Sequence, residues 1–422
     1  MLPAIHKKPM NKSRKPKTAI CLALLLAVSN QLSASSFSWP DFILRGANLG
    51  ISAGYPGHYS EEDIAHLALN WRANSVRILI NDIIPDSRLP YQVSDETRED
   101  VFRLIDLCLK YRLYTVFSFS ASFDNNDSFF TNEQLKAAYL GFWQEVARRY
   151  AGSKGLAYDL MNEPHDNLAQ TQWSDYAKEL TAAIRQIDSV NTIIVEPPGW
   201  GWPDGFDYLK PTGDKNTVYG FHFYGPMDFT HQRYGGLMMN TPEGQWRQRV
   251  YPGLIVSEWG KEYWDKNTMR SYVRKAAGFR DRYGVRIWCG EFGCARWALG
   301  AKQWFKDWID LLEEEKIGWS YYSYREWHHM DIEMNPAERV NPTERTETEL
   351  VRVFKEYFAG NEIPCDFNLD GKFDLTDIVA LLRFQLDNPG SLAADFNRDG
   401  ESNILDAVSL LIVWLKGGYP GR

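Results

Sequence analysis

Ala157-Tyr-Asp-Leu-Met-Asn162 is a short apolar run that closes on a polar residue. Glu163-Pro164 follows at once, and residues 171–187 then take up helical periodicity. Such a run reads as a buried strand, and the periodic stretch as an amphipathic helix. The same unit recurs on either side. Strands are expected at 43–48, 75–80, 114–120, 157–162, 192–196, 218–224, 285–291 and 318–322, with helical stretches at 61–70, 97–110, 131–150, 171–187, 267–283 and 301–315. This alternation implies a parallel sheet covered by helices. Eight units over about 280 residues predict an α/β fold, the (β/α)8 TIM barrel. An open doubly wound sheet is the alternative, but no Gly-rich phosphate turn follows the first strand. Residues 225–261, rich in Gly, Pro and aromatic residues, are too long for an ordinary connection and read as a functional loop over the barrel mouth.

The 422 residues are 24% charged and 44% hydrophobic, which excludes a disordered, collagen-like or disulfide-knot chain. The net charge is −8, and the basic residues form no stripe beyond the N-terminus, so the footprint of a nucleic-acid partner is missing. An aromatic share of 14%, with 16 Trp, suits a surface that stacks the flat faces of sugars. Lys7, Lys8, Lys12, Arg14, Lys15 and Lys17 precede an apolar stretch at 18–28 and the small residues Ser33-Ala34-Ser35. Residues 1–35 therefore read as a secretory signal peptide, too short in its apolar part to span a membrane, and the rest as a secreted, extracellular protein. Cys21 opens that stretch instead of marking its cleavage point, which argues against a lipid anchor. Cys108, Cys289, Cys294 and Cys365 make no disulfide framework; Cys289 and Cys294 read as buried free thiols, with a disulfide between them as the alternative.

Chemistry in such a barrel sits at the C-terminal ends of the strands. Glu163 ends the fourth apolar run, and Glu291 ends the seventh, Val285-Arg-Ile-Trp-Cys-Gly290. Acetal hydrolysis needs a proton donor on the leaving oxygen and a carboxylate on the other side of the anomeric carbon. Two carboxylates across one barrel mouth can meet that need. Glu258 in Ser257-Glu-Trp-Gly260 imitates the Glu291 motif without a long apolar strand before it and reads as a loop residue.

Arg45-Gly-Ala-Asn-Leu-Gly50, Ser75-Val-Arg77, Leu160-Met-Asn-Glu-Pro164, His222-Phe-Tyr224 and Gly290-Glu-Phe-Gly293, in this order, resemble glycoside hydrolase family 5, the cellulase-like group. The likeness covers residues 38–355 and implies retaining hydrolysis of β-linked glycosides without a cofactor. Glu163 matches the acid/base and Glu291 the nucleophile. Asn162 matches the residue that bonds the sugar 2-hydroxyl, Arg77 and Tyr224 those that hold the nucleophile, and His222 a subsite hydrogen-bonder. Two positions depart from the family. Ser120 stands where a His usually ends the third strand, and Tyr322 where a Trp usually ends the eighth, so the stacking floor falls to Tyr322, Trp319 or Trp327. Trp200 and Trp202, after the fifth strand, are expected to line the cleft.

Near Gly360-Asn-Glu-Ile-Pro364 the character changes, dividing a catalytic domain at 36–358 from a linker at 359–363 and a small module at 364–422. The module is duplicated. Asp366, Asn368, Asp370, Gly371, Asp374 and Asp377 recur 29 residues later as Asp395, Asn397, Asp399, Gly400, Asn403 and Asp406, each set leading into an apolar helix. Oxygen ligands at positions one, three, five, nine and twelve around a sixth-position Gly are calcium-loop spacing, with Lys372 and Glu401 at the seventh, backbone-carbonyl position. This tandem resembles a type I dockerin. The resemblance implies two Ca²⁺ and docking to a cohesin on a scaffold or cell-surface assembly. Positions ten and eleven, Leu375-Thr376 and Ile404-Leu405, are mostly apolar, which suits a partner surface.

The sequence thus points to a β-linked polysaccharide or oligosaccharide as partner and to an endo-β-1,4-glucanase as the activity. A β-mannanase, a xyloglucanase or an exo-β-glycosidase uses the same machinery. A non-catalytic sugar-binding scaffold subunit is the reading from a different class.

Overall fold

A computed structural model describes residues 39–40, 42–52, 58–81, 84, 89–120, 126–153, 155–232, 248–257, 260–336, 344–361, 367–368, 373–390, 394–396 and 401–415. Residues 1–35, read as a signal peptide, and Glu258 lie outside them.

The β-branched runs form parallel strands β1 (Arg45–Ser52), β2 (Ser75–Asn81), β3 (Tyr114–Phe119), β4 (Leu156–Asp159), β5 (Thr192–Val195) and β6 (Thr217–Phe223). A separate hairpin, β7 (Gly253–Ser257) and β8 (Gly260–Trp264), precedes the last two barrel strands, β9 (Arg286–Phe292) and β10 (Gly318–Tyr321). The barrel closes in the order β1-β10-β9-β6-β5-β4-β3-β2. The expected eight-stranded fold is therefore present. Most strands are buried on both faces, as a helix-covered barrel demands. Inward-pointing Tyr114, Val116, Ala157, Ile194, Val218 and Trp288 fill the barrel, with Trp39 and Leu44 packed against them. The other face of each strand packs on helices such as Asp95–Lys110, Glu133–Tyr150, Asp166–Arg185, Lys266–Tyr283 and Ala301–Glu314. Ser94, Asn132 and Asp265 accept backbone N–H groups at the starts of three of them, which satisfies otherwise orphaned donors.

The described residues of the stretch 225–261 are not all loop. They hold a short helix, Met227–Thr230, and the first strand of the hairpin, in which Ile255 is buried while Leu254 and Val256 are exposed. The alternation Leu-Ile-Val was legible, but the surrounding Gly, Pro and aromatic residues masked it. Gly300 ties this region to the next helix at φ +97°, where an added Cβ would lie 1.8 Å from the Tyr251 carbonyl oxygen. Gly300→Ala should therefore cost at least about 2 kcal/mol, read as a lowered melting temperature with unchanged circular dichroism.

Beyond the barrel, the helix Glu349–Ala359 packs Phe354 and Phe358 on Trp319. The helices Leu375–Asp387 and Ile404–Leu415 enclose a small core of their own around Leu381 and Leu410. The guanidinium of Arg112, between the helix Asp95–Lys110 and β3, lies 4.1 Å from the Phe367 ring and 4.6 Å from the Phe384 ring. The first repeat therefore touches the barrel at the N-terminal end of β3, away from the mouth. Among the described residues no helix is long and apolar enough to cross a membrane.

Candidate active site

A bulge between β6 and β9 decides where Glu291 points. Phe221 pairs with Cys289 but His222 pairs with Glu291, so Gly290 is an extra residue on β9. Such an insertion re-aims the side chain beside it. A Cβ on Gly290 would come 3.0 Å from His222 Nε2, which keeps that position small. Glu291 then accepts from Arg77 Nη1 at 2.5 Å on one oxygen and from the Tyr224 hydroxyl at 2.7 Å on the other. Both oxygens are fixed.

Glu163 stands just past β4 with a left-handed backbone, φ +46°. For a residue with a side chain this costs about 1–3 kcal/mol and persists only where the surroundings enforce it. Glu196 Oε2 accepts its backbone N–H at 2.8 Å, and His222 Nδ1 lies 2.9 Å from its Oε1. One oxygen of Glu163, one of Glu291 and a ring nitrogen of His222 lie within 4.8 Å of one another. The two carboxyl groups thus converge. Burial, and then the charge of Glu291, raise the Glu163 carboxyl to about 7 against the opposing pull of His222. Its side chain still keeps 15% of its surface open, so a substrate can reach it.

Arg77 is fully buried at the centre of this layer. Besides Glu291 it donates to Asp159 at 2.9 Å, Asn162 at 2.9 Å, Glu196 at 2.8 Å and Asn48 at 3.2 Å. Burial and the Glu196 charge push Asp159 well above the usual carboxylate range despite Arg77. Burial would raise Glu196 too, but His222 and Arg77 hold it down to about 2. For His222, burial favours the neutral ring and is outweighed by Glu196 and Glu291, which raise its proton affinity well above normal. Arg77 and His222 thus face Asp159, Glu196 and Glu291, so the buried acidic groups are paired with the two bases of the layer. Such pairing offsets the large cost of burying charge.

Of the aromatic residues expected in the cleft, Tyr322 and Trp327 stay beside the mouth. The Tyr322 hydroxyl donates to Glu326 at 2.9 Å, and Trp327 stacks on His329 at 4.6 Å. Trp200 is 40% exposed and lies flat on His165 at 3.6 Å, while its N–H and that of Gly199 donate to the Pro164 carbonyl. That ties it to the Glu163 turn. Two expectations need correction. Trp319 is fully buried, donates Nε1–H to Glu313 and packs on Phe354 and Phe358, because its place on β10 points it outward into the helix layer. Trp202 packs edge-on against Phe223 and Tyr272, on the outer wall and not in the cleft. Ser120, buried, follows the end of β3. Cys289 and Cys294 are free and buried, as expected, and so is Cys108.

Sequence reasoning gave no role to Asn48, Asp159 or Glu196. Glu196 carried the same signal as Glu163 and Glu291, a polar residue closing an apolar run. Asp159 sits inside a strand, where only the fold reveals which face it takes.

Residues 39–327 match the cellulase model of glycosyl hydrolase family 5. The chain belongs to glycosyl hydrolase family 5. Among its relatives in the family, Endoglucanase C of Acetivibrio thermocellus is 28% identical over 272 residues, covering 58% of this chain and 78% of that protein. Cellodextrinase A of Ruminococcus flavefaciens is 26% identical over 260 residues, covering 58% and 72%. An endoglucanase of Thermotoga maritima superposes with a TM-score of 0.59 at 23% identity, covering 74% of this chain and 96% of that one, which shows the same barrel. Family membership makes this a glycosidase of cellulase type, for which a polysaccharide substrate is consistent.

In the C-terminal module, Asp366, Asp370, Lys372, Asn397 and Asp399 lie outside the described residues. Asn368, Asp374, Asp377, Asp395, Glu401, Asn403 and Asp406 are described. Asp377 and Asp406, at the twelfth positions, are fully buried and accept the N–H of Asp374 at 2.8 Å and of Asn403 at 2.7 Å, which turns both carboxylates inward. Asn368 N–H adds a contact to Asp377 at 3.1 Å. An inward, all-oxygen side-chain donor set fits a hard cation such as Ca²⁺.

Proposed function

We propose that the chain is a secreted, retaining endo-β-1,4-glucanase that docks to a cohesin-bearing scaffold through its C-terminal module. The observation that carries the reading is the carboxyl pair within 4.8 Å, one member bound by Arg77 and Tyr224 and the other holding its proton to about pH 7. Retaining enzymes need the two groups about 5–5.5 Å apart. Endoglucanase and cellodextrinase relatives favour a β-1,4-glucan over a mannan.

In the first step a Glu291 oxygen attacks the anomeric carbon while Glu163 gives its proton to the departing glycosidic oxygen. The C1–O bond breaks and a glycosyl ester on Glu291 forms. Neutralising Glu291 removes the charge that raised the Glu163 carboxyl, so Glu163 can take a proton from water. The water oxygen attacks the anomeric carbon, and Glu291 leaves with the configuration retained. Asn162, fixed by Arg77, is placed to meet the 2-hydroxyl. Release of reducing ends should be strongest from β-1,4-glucan in a panel that includes β-mannan and xyloglucan. Preference for mannan or xyloglucan would overturn the substrate, and no release from any would overturn the activity.

The protonation state sets a pH limit. Glu163 must be protonated to act first, so kcat/KM should be high below about 7 and fall as pH rises through that value. An acidic limb alone would contradict the assignment.

For the module, the exposed apolar residues Ile404, Leu405, Val408, Ile412 and Leu415 along one helix support a protein-docking face. Asp377 and Asp406 would hold the two calcium ions with the other loop oxygens, and the ions would supply the charge that closes each loop. Chelation should therefore melt the module and leave the barrel folded. A single unchanged melting transition after chelator treatment would count against this.

A further inference from the structure

Glu196 is a fourth carboxyl in the active-site layer. It follows the last residue of β5 and is 1% exposed. It touches the acid/base from two directions. Its Oε2 takes the backbone N–H of Glu163 at 2.8 Å, at the residue whose φ is +46°. Its Oε1 lies 3.2 Å from His222 Nε2, an ionic contact without hydrogen-bond alignment, and the other ring nitrogen of His222 lies 2.9 Å from Glu163 Oε1. Arg77 fixes the same Oε1 at 2.8 Å, and Gly201, at φ +65°, would place a Cβ only 3.1 Å from Oε2. The carboxylate is thus locked between two strands and a turn.

We propose that Glu196 is a positioning residue for acid catalysis, holding Glu163 by its backbone amide and, through His222, by its side chain. This rests on the assignment of Glu163 as acid/base. When Glu163 gives its proton to the departing oxygen it becomes a carboxylate, and His222 Nδ1–H donates to that new charge on Oε1. Glu196 keeps the imidazole protonated for this purpose. No proton leaves His222. The titratable groups facing His222 are Glu163, Glu196 and Glu291, with Arg77 behind the last two. A donor poised where charge develops lowers the barrier only when the leaving group needs protonation.

That condition gives the test. Full-length Glu196→Gln should lose at least about 30-fold in kcat/KM on phenyl β-cellobioside and less than about 3-fold on 2,4-dinitrophenyl β-cellobioside, whose leaving group departs unassisted. Glu196→Asp, which restores the charge, should recover part of the loss on the phenyl substrate only. In parallel, NMR titration of His222 should find the ring protonated in the parent at pH 7 and neutral in Glu196→Gln. This reading needs a folded protein but no turnover. Equal losses on both substrates, or an unchanged His222 titration, would reduce Glu196 to a structural residue and overturn the proposal. A Glu163→Ala control without leaving-group discrimination would instead sink the acid assignment, and this proposal with it.

Discussion

Glu291→Gln should leave a folded protein that releases reducing ends from β-glucan at least about 10⁴-fold more slowly than the parent. The amide has nearly the same shape: its oxygen can accept from Arg77 while its NH₂ donates to the Tyr224 oxygen, so the fold should survive at a melting temperature lowered by the loss of one buried charge. What disappears is the charge able to form an ester with the anomeric carbon. The loss should fall on kcat for good and poor leaving groups alike, since bond formation to the sugar precedes every product. Retention of even a tenth of the parental rate would remove Glu291 from the chemistry.

The second large effect is on folding. Arg77 is, among the described residues, the guanidinium that touches Asp159, Glu196 and Glu291 together. Arg77→Met would leave three buried carboxyls to share a single nearby cation, His222. Breaking a buried ionic network from one side costs about 3–5 kcal/mol, which for a domain of this size lowers the melting temperature by roughly 10 °C. Activity should fall below detection at the same time. Arg77→Lys should rescue little, because an ammonium has no planar fork to reach partners around it. A stable, active Arg77→Met protein would show that the charge balance described here is wrong.

Much of this is legible in the amino-acid sequence. Strand-helix alternation sufficed for the barrel because each parallel strand is buried on both faces and must read as an apolar run. Glu163 and Glu291 were legible because a polar residue at the end of such a run has the barrel mouth as its natural place. Glu196 obeyed the same rule and was passed over, since no motif drew attention to it. Trp319 and Trp202 failed for a different reason. A Trp near a strand end can face the cleft or the helix layer, and the pleat phase that decides between them shifts with every bulge and turn. The bulge at Gly290 is such a case: one extra residue re-aims Glu291, and nothing in Cys289-Gly290-Glu291 announces it. The left-handed backbone of Glu163 was equally silent, because its cause lies in Glu196, on another strand.

The pairing of Glu163 with Glu291 in double displacement is tested most directly by trapping the glycosyl ester. Incubation with 2,4-dinitrophenyl 2-deoxy-2-fluoro-β-cellobioside slows both steps but spares formation of the intermediate more than its hydrolysis. Peptide mapping by mass spectrometry should then find one fluorocellobiosyl group per chain, on Glu291. A label on any other carboxylate, or an active enzyme that never becomes labelled, would contradict the mechanism.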